Sequence, residues 1–597
     1  MFKFLCAIPA CAAVLAQAFL TTQLIAQPTE RPNVIVILTD DQGWGDLSLN
    51  GNTNLSTPHI DSIGLQGVRF DRFFVSPVCS PTRAEFLTGR YHPRSGVHDV
   101  SRGGERMNVD ERTIAQAFKQ AGYKTAGYGK WHNGMQYPYH PLARGFDDFY
   151  GYCSGHWGDY FSPQLEHNGA LVQGKGYLVD DFTDHALQFI EQHKAEKFFL
   201  YLPMPTPHAP MQVPDAYWDR MKNKSLGQTA RPEDREDADF TRAALAMVEC
   251  IDHNVGRVLN KLDELELAND TIVVFFSDNG PNSFRWNGGM KGRKGSTDEG
   301  GVRSPLLISW PGKIPAGRSV PQICAAIDLL PTLTDLAGVP VDGQTKPLDG
   351  VSLAPLLNST TATLPDRMIF SHWNGRVSVR TQQYRLDHSG QLFDMVDDPG
   401  QTQPITAQQP NVSRELQSSV DRWKAELLTG LKDSQRPFTI GHPDFALTQL
   451  PARDGQAQGD IQRSNKAPNC SYFTHWNNTQ DTMVWPVEVL ADGNFEVEMH
   501  YTCPAALVGA EIELTIGESQ LRKTIDVAND PPQTGAEHDR VPRDTESLVK
   551  DFKPLKLGAM HLEPGQHELT LRASSLPSSG KPGDTLEMRL FMFRRVR

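Results

Sequence analysis

Between Val34 and Ala337 the apolar positions alternate between two patterns. Val34 to Leu38 is a continuous apolar run, and Lys197 to Leu202, Thr271 to Phe276 and Pro305 to Trp310 carry similar ones. Runs of this length suit strands buried on both faces of a parallel sheet. Phe240, Ala244, Met247, Ile251, Val255, Val258, Leu262 and Leu265 instead recur at helical spacing. Thr57-Pro58 begins a helix in the favoured cap-then-proline order, and Gly67 ends it before the strand-like stretch Val68 to Val75. Asp110 to Ala121 reads as a helix stopped by Gly122, and Ile327 to Ala337 as another. Strands alternating with helices predict an α/β fold with a mostly parallel sheet sandwiched by helices. Ligands of such sheets bind beyond the carboxyl ends of the strands.

The pattern then changes. From about Lys432 to Asn469 the chain is polar and rich in Gln, Pro and Gly, as a linker or wrapping segment would be. Asn494 to Tyr501, Ala510 to Ile516, Gly565 to Leu571 and Thr585 to Phe591 alternate with period two, predicting an additional all-β sandwich. Trp476 and Trp485 there fit either its core or sugar-stacking platforms.

At the amino terminus, Lys3 precedes an apolar run from Phe4 to Leu20 broken only by Gln17, with small residues at Ala16, Ala18 and Ala26. This predicts an export signal over residues 1–26, and a periplasmic or extracellular protein. No later segment has the apolar length of a membrane span. Two of the 8 Cys, Cys6 and Cys11, fall in that signal. Among the rest, Cys250 and Cys324 read as core residues, Cys470 and Cys503 could bridge two strands, and Cys79 calls for a chemical explanation. With 58 Lys+Arg against 71 Asp+Glu the formal charge is −13, which argues against nucleic acid as a partner. An anionic substrate in a locally basic pocket is still compatible with it.

Four clusters carry candidate chemistry. Asp40-Asp41 and Ser277-Asp278-Asn279-Gly280 each follow a buried strand and offer hard oxygen donors suited to Ca²⁺ or Mg²⁺. Either turn alone also fits an ordinary loop, but after two strands of one sheet they would converge. The third cluster is Cys79-Ser-Pro-Thr-Arg83-Ala-Glu-Phe-Leu-Thr-Gly-Arg90. The fourth is distributed over Gly129-Lys130-Trp131-His132-Asn133-Gly134, Thr206-Pro207-His208, Gly292-Arg293-Lys294-Gly295 and Glu299-Gly300-Gly301.

The third cluster resembles the signature of type I, formylglycine-dependent sulfatases, C-x-P-x-R followed by leucine-threonine-glycine, and every defining position is filled. The distributed cluster is similar to that family's later motifs, with Asn133 and Arg293 as departures. Leu392-Phe-Asp394 with Asp398-Pro-Gly400 is similar to a late element of the same family. The resemblance implies an alkaline-phosphatase-like fold with a smaller α+β C-terminal subdomain. The expected divisions are an α/β catalytic domain over 27–345, that subdomain over 346–435, a linker over 436–466 and the β-sandwich over 467–597.

The resemblance also implies that a maturation enzyme oxidises Cys79 to formylglycine (3-oxoalanine). A hydrated aldehyde can attack a sulfate ester and then expel the sulfate by re-forming its carbonyl, which a serine cannot do. Asp40, Asp41, Asp278, Asn279 and the modified Cys79 would surround one Ca²⁺. Arg83 would hold the nucleophile, and Lys130 and Lys294 would neutralise the sulfuryl oxygens. His208 with Lys294 would protonate the leaving oxygen, and His132 would take a proton from the second hydroxyl. His156, Asp159 and Arg285 are candidate substrate contacts. The stretch Phe146 to Asn168 looks like that of N-acetylgalactosamine-4-sulfatase relatives, implying a sulfated galactose-type glycan as substrate. Two rival readings are a phosphodiester or phosphonate hydrolase of the same superfold, and a glycan-binding protein with an unmodified thiol.

Overall fold

The computed structural model describes residues 1, 31–341, 346–431, 436–579, 581 and 583–596. The expected export signal, Met1 apart, lies outside the described residues. Ten strands form one sheet: β1 (Asn33–Thr39), β2 (Val68–Phe74), β3 (Lys124–Lys130), β4 (Asp148–Tyr152), β5 (Gln164–His167), β6 (Ala170–Gln173), β7 (Phe198–Pro203), β8 (Thr271–Ser277), β9 (Arg303–Ser309) and β10 (Arg318–Ala325). Their order is β10-β2-β9-β8-β1-β7-β3-β4-β5-β6. Pairing is parallel from β8 through β4, and again between β10 and β2. β9 runs antiparallel to both its neighbours, and β5 and β6 close the far edge as antiparallel strands. The sheet is therefore parallel at its centre and mixed towards both edges.

β1 shows why this sequence forms a two-faced sheet. All seven of its residues are buried. Val34, Val36 and Leu38 enter one core with Phe86, Phe118 and Leu330, while Ile35 and Ile37 enter another with Val248 and Ile251 of the helix Ala238–Glu264. Successive strand side chains point to opposite faces, so one apolar run serves two cores. Each such side chain contributes on the order of 1.5–3 kcal/mol, which makes polar replacements in β1 costly on either face.

The helix expected from Asp110 begins later, at Ile114. Thr113 accepts from the Gln116 amide and donates its own N–H to the Gln116 side chain, a capping box that sets the boundary. Beyond the main sheet, β11 (Ile369–Trp373), β12 (Arg376–Arg380), β13 (Tyr384–Leu386) and β14 (Leu392–Asp394) form an antiparallel sheet. The helix Pro410–Leu427 packs on it through Leu416, Val420 and Trp423.

The carboxy-terminal region is a sandwich of two six-stranded sheets. Trp485 from one sheet meets Phe473 and Phe591 of the other, with ring centroids 5.9 and 5.6 Å apart. Trp476 and Trp485 are both fully buried, so they are core residues and not sugar platforms. Residues 436–466 are not a free linker. Phe438–Ile440 and Gln456–Gln458 pair into one sheet, and Leu447–Pro451 and Gln462–Arg463 into the other. The polar composition of the segment misled because its strands are only two to five residues long, too short for Phe438, Ile440 and Leu450 to show a period. Cys470 and Cys503 are free, buried thiols. Among the described residues no helix is long and apolar enough to cross a membrane.

The sheet positions the chemistry. Thr39 of β1 is in register with Ser277 of β8, so the next residues, Asp40 and Asp278, leave adjacent parallel strands together. The amide of Asp278 donates to Thr39 O at 3.0 Å, and that of Asp40 to Thr206 O in the turn after β7 at 3.1 Å. Lys130 closes β3 on the same edge.

Candidate active site

Cys79 is the first residue of the helix Cys79–Thr88, which ends at Gly89 in the left-handed conformation (φ 67°). Every residue of this helix is buried. Its amino end therefore presents backbone N–H groups and a partial positive charge to a site screened from water. Burial pushes the Cys79 thiol above its ordinary pKa, opposed by Lys130 and Lys294. As a free cysteine it would not be a ready thiolate.

Arg83, one turn further on, has no exposure. Its Nε and Nη2 donate to Asp278 Oδ2 at 3.1 and 2.9 Å, Nη2 also reaches Asp40 Oδ2 at 3.2 Å, and Nη1 donates to Lys130 O at 2.7 Å. Burial disfavours its charge, but Asp278 and Asp40 more than offset that and raise its pKa. Lys130 Nζ also pairs with Asp40. Burial and the nearby Asp40 charge push the Asp278 carboxyl upward, while Arg83 and Lys130 pull it back.

Asp41 adopts a left-handed backbone (φ 66°), and its N–H donates to Asp278 Oδ1 at 3.2 Å. Asn279 Nδ2 donates to Asp41 Oδ1 at 2.8 Å, and Lys294 Nζ lies 2.6 Å from the same oxygen. Burial opposes ionisation of Asp41, but Lys294, His208 and Asn279 hold its pKa well below the ordinary value. Lys294 gains correspondingly, with a pKa raised by Asp41 against its own burial.

Among the described residues, two oxygens of this group have no hydrogen-bond partner. Asp40 Oδ1 and Asn279 Oδ1 are buried and make no hydrogen bond, an arrangement that is costly unless something else satisfies them. Ligand atoms of Asp40, Cys79 and Asp278 lie within 4.8 Å of one another. Carboxylate and amide oxygens, two of them unpartnered, fit a hard divalent cation.

His132, His156, His208, Asp41 and Lys294 share one cavity of about 490 Å³ with Cys79. His132 has a left-handed backbone (φ 64°) and bonds Val100 O through Nε2 at 2.8 Å, which leaves Nδ1 buried and unpartnered. Burial, reinforced by Lys130, keeps it neutral. With Nε2 donating to a carbonyl, Nδ1 carries a free lone pair. His208 bonds Ala209 O through Nδ1 at 2.7 Å and turns Nε2 towards Asp41 Oδ2, 3.7 Å away. Burial and Lys294 lower its pKa, partly countered by Asp41. The ring of His156 stacks on that of His208 at 5.8 Å, and its Nε2 is also buried without a partner.

The other two expected substrate contacts lie elsewhere. Asp159 borders a separate cavity with Trp157 and Cys470, and its Oδ1 accepts from the Phe161 amide at 3.0 Å. Arg285 is buried, held by Asp46 at 2.7 Å and donating to Asp41 O at 2.9 Å, so it braces the Asp40-Asp41 turn from behind. The cavity is also bordered by residues no motif had singled out: Trp373 at the end of β11, and Asn469, Thr545 and Glu546 of the carboxy-terminal module.

These features define a class, the hydrolases that handle an anionic ester at the carboxyl edge of an α/β sheet. The family model described as sulfatase matches residues 32–339, and that of the N-sulphoglucosamine sulphohydrolase C-terminal region matches residues 294–426. Similar curated proteins include N-acetylgalactosamine-6-sulfatase of Canis lupus familiaris, 32% identical over 57% of this chain and 68% of that protein. Steryl-sulfatase of Mus musculus is 28% identical over 66% of this chain and 82% of its own length. Among solved structures, Ps i-CgsB in complex with k-i-k-neocarrahexaose is 29% identical with a TM-score of 0.59, covering 66% of this chain and 93% of that one. The chain belongs to the sulfatase family and is an enzyme, a sulfuric ester hydrolase.

Proposed function

We propose that this sulfatase removes sulfate from a sulfated carbohydrate of galactose or N-acetylgalactosamine type, using formylglycine made from Cys79 and one bound Ca²⁺. The observation that carries this reading is the position of Cys79. It begins a buried helix, lies beside Asp40 and Asp278, and opens on the cavity that holds His132, His208 and Lys294. The glycan class rests on the N-acetylgalactosamine-6-sulfatase relatives and on the neocarrahexaose-bound structure.

Asp40, Asp41, Asp278 and Asn279, with the modified Cys79, would hold the ion. When bound, it polarises a sulfate oxygen as a Lewis acid. The hydrated aldehyde supplies a nucleophilic oxygen and a route for releasing sulfate. Lys130 and Lys294 place fixed positive charge where the sulfuryl oxygens gather negative charge, in a setting that needs little reorganisation. Arg83 anchors the two carboxylates and the Lys130 carbonyl, and so fixes the geometry around residue 79. His132 is suited to accept a proton at Nδ1. His208 together with Lys294 would deliver one to the departing sugar oxygen, the Asp41 carboxylate beside Nε2 favouring the imidazolium that this requires. Export through residues 1–26 and maturation by a formylglycine-generating enzyme belong to the same proposal.

Mass spectrometry of the Cys79 peptide from protein co-expressed with a maturation enzyme tests the nucleophile. A mass loss matching aldehyde formation is expected, and an unmodified thiol alone refutes it. Parallel turnover of sulfate and phosphate esters then separates a sulfatase from a phosphoester hydrolase. A panel of sulfated galactose and N-acetylgalactosamine saccharides tests the substrate class.

A further inference from the structure

The carboxy-terminal β module is part of the active-site wall. Two of its segments, 467–469 and 542–546, border the cavity that contains Cys79, His132 and His208. They are tied together, since the Ala467 amide donates to Thr545 O at 3.3 Å and Asn465 Nδ2 to Glu546 O at 3.2 Å. They are also locked onto the catalytic sheet. Arg543 donates to Gly158 O at 2.7 Å, Gln212 to Asp539 Oδ1 at 2.9 Å and Ser154 Oγ to Asn469 O at 2.6 Å.

Two glycines make this approach possible. A Cβ at Gly155 would sit 2.4 Å from Asn469 Nδ2 and 2.5 Å from His132 Nε2, and one at Gly158 would sit 2.6 Å from Ser547 O. Any side chain at Gly155 would have to displace the Asn469 amide or the His132 ring. Gly155 therefore lies between the Asn469 amide and the His132 ring, close to both.

Asn469 and Glu546 are built to meet a ligand. Asn469 is buried, its Oδ1 accepts from Arg453 Nη1 at 2.9 Å, and Arg453 is itself fixed by Glu105 at 2.8 Å. That bond orients the amide, whose Nδ2 makes no hydrogen bond among the described residues. Glu546 is 6% exposed, and its carboxylate accepts from Thr545 Oγ1 alone among them, at 3.2 Å. Asp544 stands exposed beside it on the same cavity. Arg543, which borders the same cavity, is already committed to Asp539, Gly158 and Ser547. These segments thus bring one amide donor, two carboxylates and the already paired Arg543 to the cavity that also holds Lys294.

We propose that Asn469 and Glu546 bind hydroxyl groups of the sugar residue attached to the sulfated one, and that Glu546 with Asp544 excludes a second sulfate from that position. This rests on the sulfatase reading of the cavity. A carboxylate accepts strongly from a hydroxyl and repels a sulfate, so the same group selects for an uncharged neighbour and against a charged one. Binding energy from a group remote from the ester also helps fix the reacting atoms.

The test compares kcat/KM on a monosulfated disaccharide with kcat/KM on a small aryl sulfate, in mature enzyme. For Asn469→Ala the disaccharide-to-aryl ratio is expected to fall ten-fold or more. A ratio within two-fold of wild type overturns the role. For Glu546→Gln, which keeps the shape and removes the charge, turnover of a disaccharide sulfated on both residues should rise at least five-fold relative to the monosulfated one. An unchanged preference overturns the exclusion. Calorimetric titration of the Cys79→Ala protein with the monosulfated disaccharide, with and without Asn469→Ala, reads the contact without chemistry. Ten-fold weaker binding supports the contact even if wild-type enzyme fails to hydrolyse sulfate, a failure that would refute only the proposed reaction. Equal binding refutes the contact.

Discussion

Lys294 Nζ lies 2.6 Å from Asp41 Oδ1, which also accepts from Asn279 at 2.8 Å. One carboxylate oxygen thus joins the expected ion ligands to a cation on the cavity that holds Cys79. Lys294 is 21% exposed through its side chain, so its removal leaves the core packed. Lys294→Ala is expected to lower kcat/KM by about 10²–10³-fold, the usual loss for one preorganised charge-stabilising donor. Steady-state kinetics checks this, with an unchanged far-UV circular dichroism spectrum showing that the fold is retained even though Asp41 loses its charge partner.

Arg83 has a different role. It is fully buried between Asp278 and Asp40, so Arg83→Ala leaves two carboxylates facing each other in the interior. The expected destabilisation is about 3–5 kcal/mol, typical of breaking a buried pair by removing one partner. Urea unfolding of unmodified protein measures it without any reliance on activity. A loss under 1 kcal/mol would show that Arg83 is not what holds these acids.

If the unpartnered oxygens of Asp40 and Asn279 receive Ca²⁺, the ion must stabilise the folded chain. At a hundred times its dissociation constant the gain is about 2.7 kcal/mol. The thermal midpoint is expected to rise with Ca²⁺, fall with a chelator, and stop responding in Asn279→Ala.

Cys79→Ala should abolish turnover and leave the thermal midpoint within a few degrees of wild type. The thiol has 4% exposure and its deletion removes one small group, while the reaction loses its nucleophile. Turnover at a wild-type rate by this variant would remove the basis of the mechanism.

Glu85, on the same helix, gives a pH signature. Burial raises its pKa from 4.5 to about 8, although the His92 amide and Ser76 hydroxyl favour the charged form. A carboxyl with a folded pKa above its unfolded one contributes stability that is complete below about pH 4.5 and is lost as pH rises through 8. Urea midpoints measured across that range should fall less steeply in Glu85→Gln, whose side chain stays neutral. Parallel slopes for the two proteins would show that Glu85 ionises normally.

Much of this was readable from local pattern. The run Val34 to Leu38 specified a two-face-buried strand, because it is short, rich in β-branched residues and ended by the turn-forming Thr39 to Gly43. The spacing from Phe240 to Leu265 specified a helix, and Cys79 to Arg90 a family. The edge strands in residues 436–466 were not readable, since their polar composition matches that of a loop. Arg285 and Asp159 were also opaque. Their residue types suit a substrate contact, yet backbone and side-chain partners distant in sequence hold Arg285 behind the Asp40-Asp41 turn and place Asp159 on another cavity.

By itself the sequence determined the strands and helices of the α/β core, the residues able to bear the chemistry, and the β character of the final module. Those properties follow from side-chain period and residue type, which are local. Only the tertiary structure decided that Thr39 aligns with Ser277, which brings Asp40 to Asp278, and that Asn469 and Glu546 border the cavity that holds Cys79. Register and domain docking depend on contacts between residues hundreds of positions apart, such as Arg543 with Gly158, and no local periodicity encodes them.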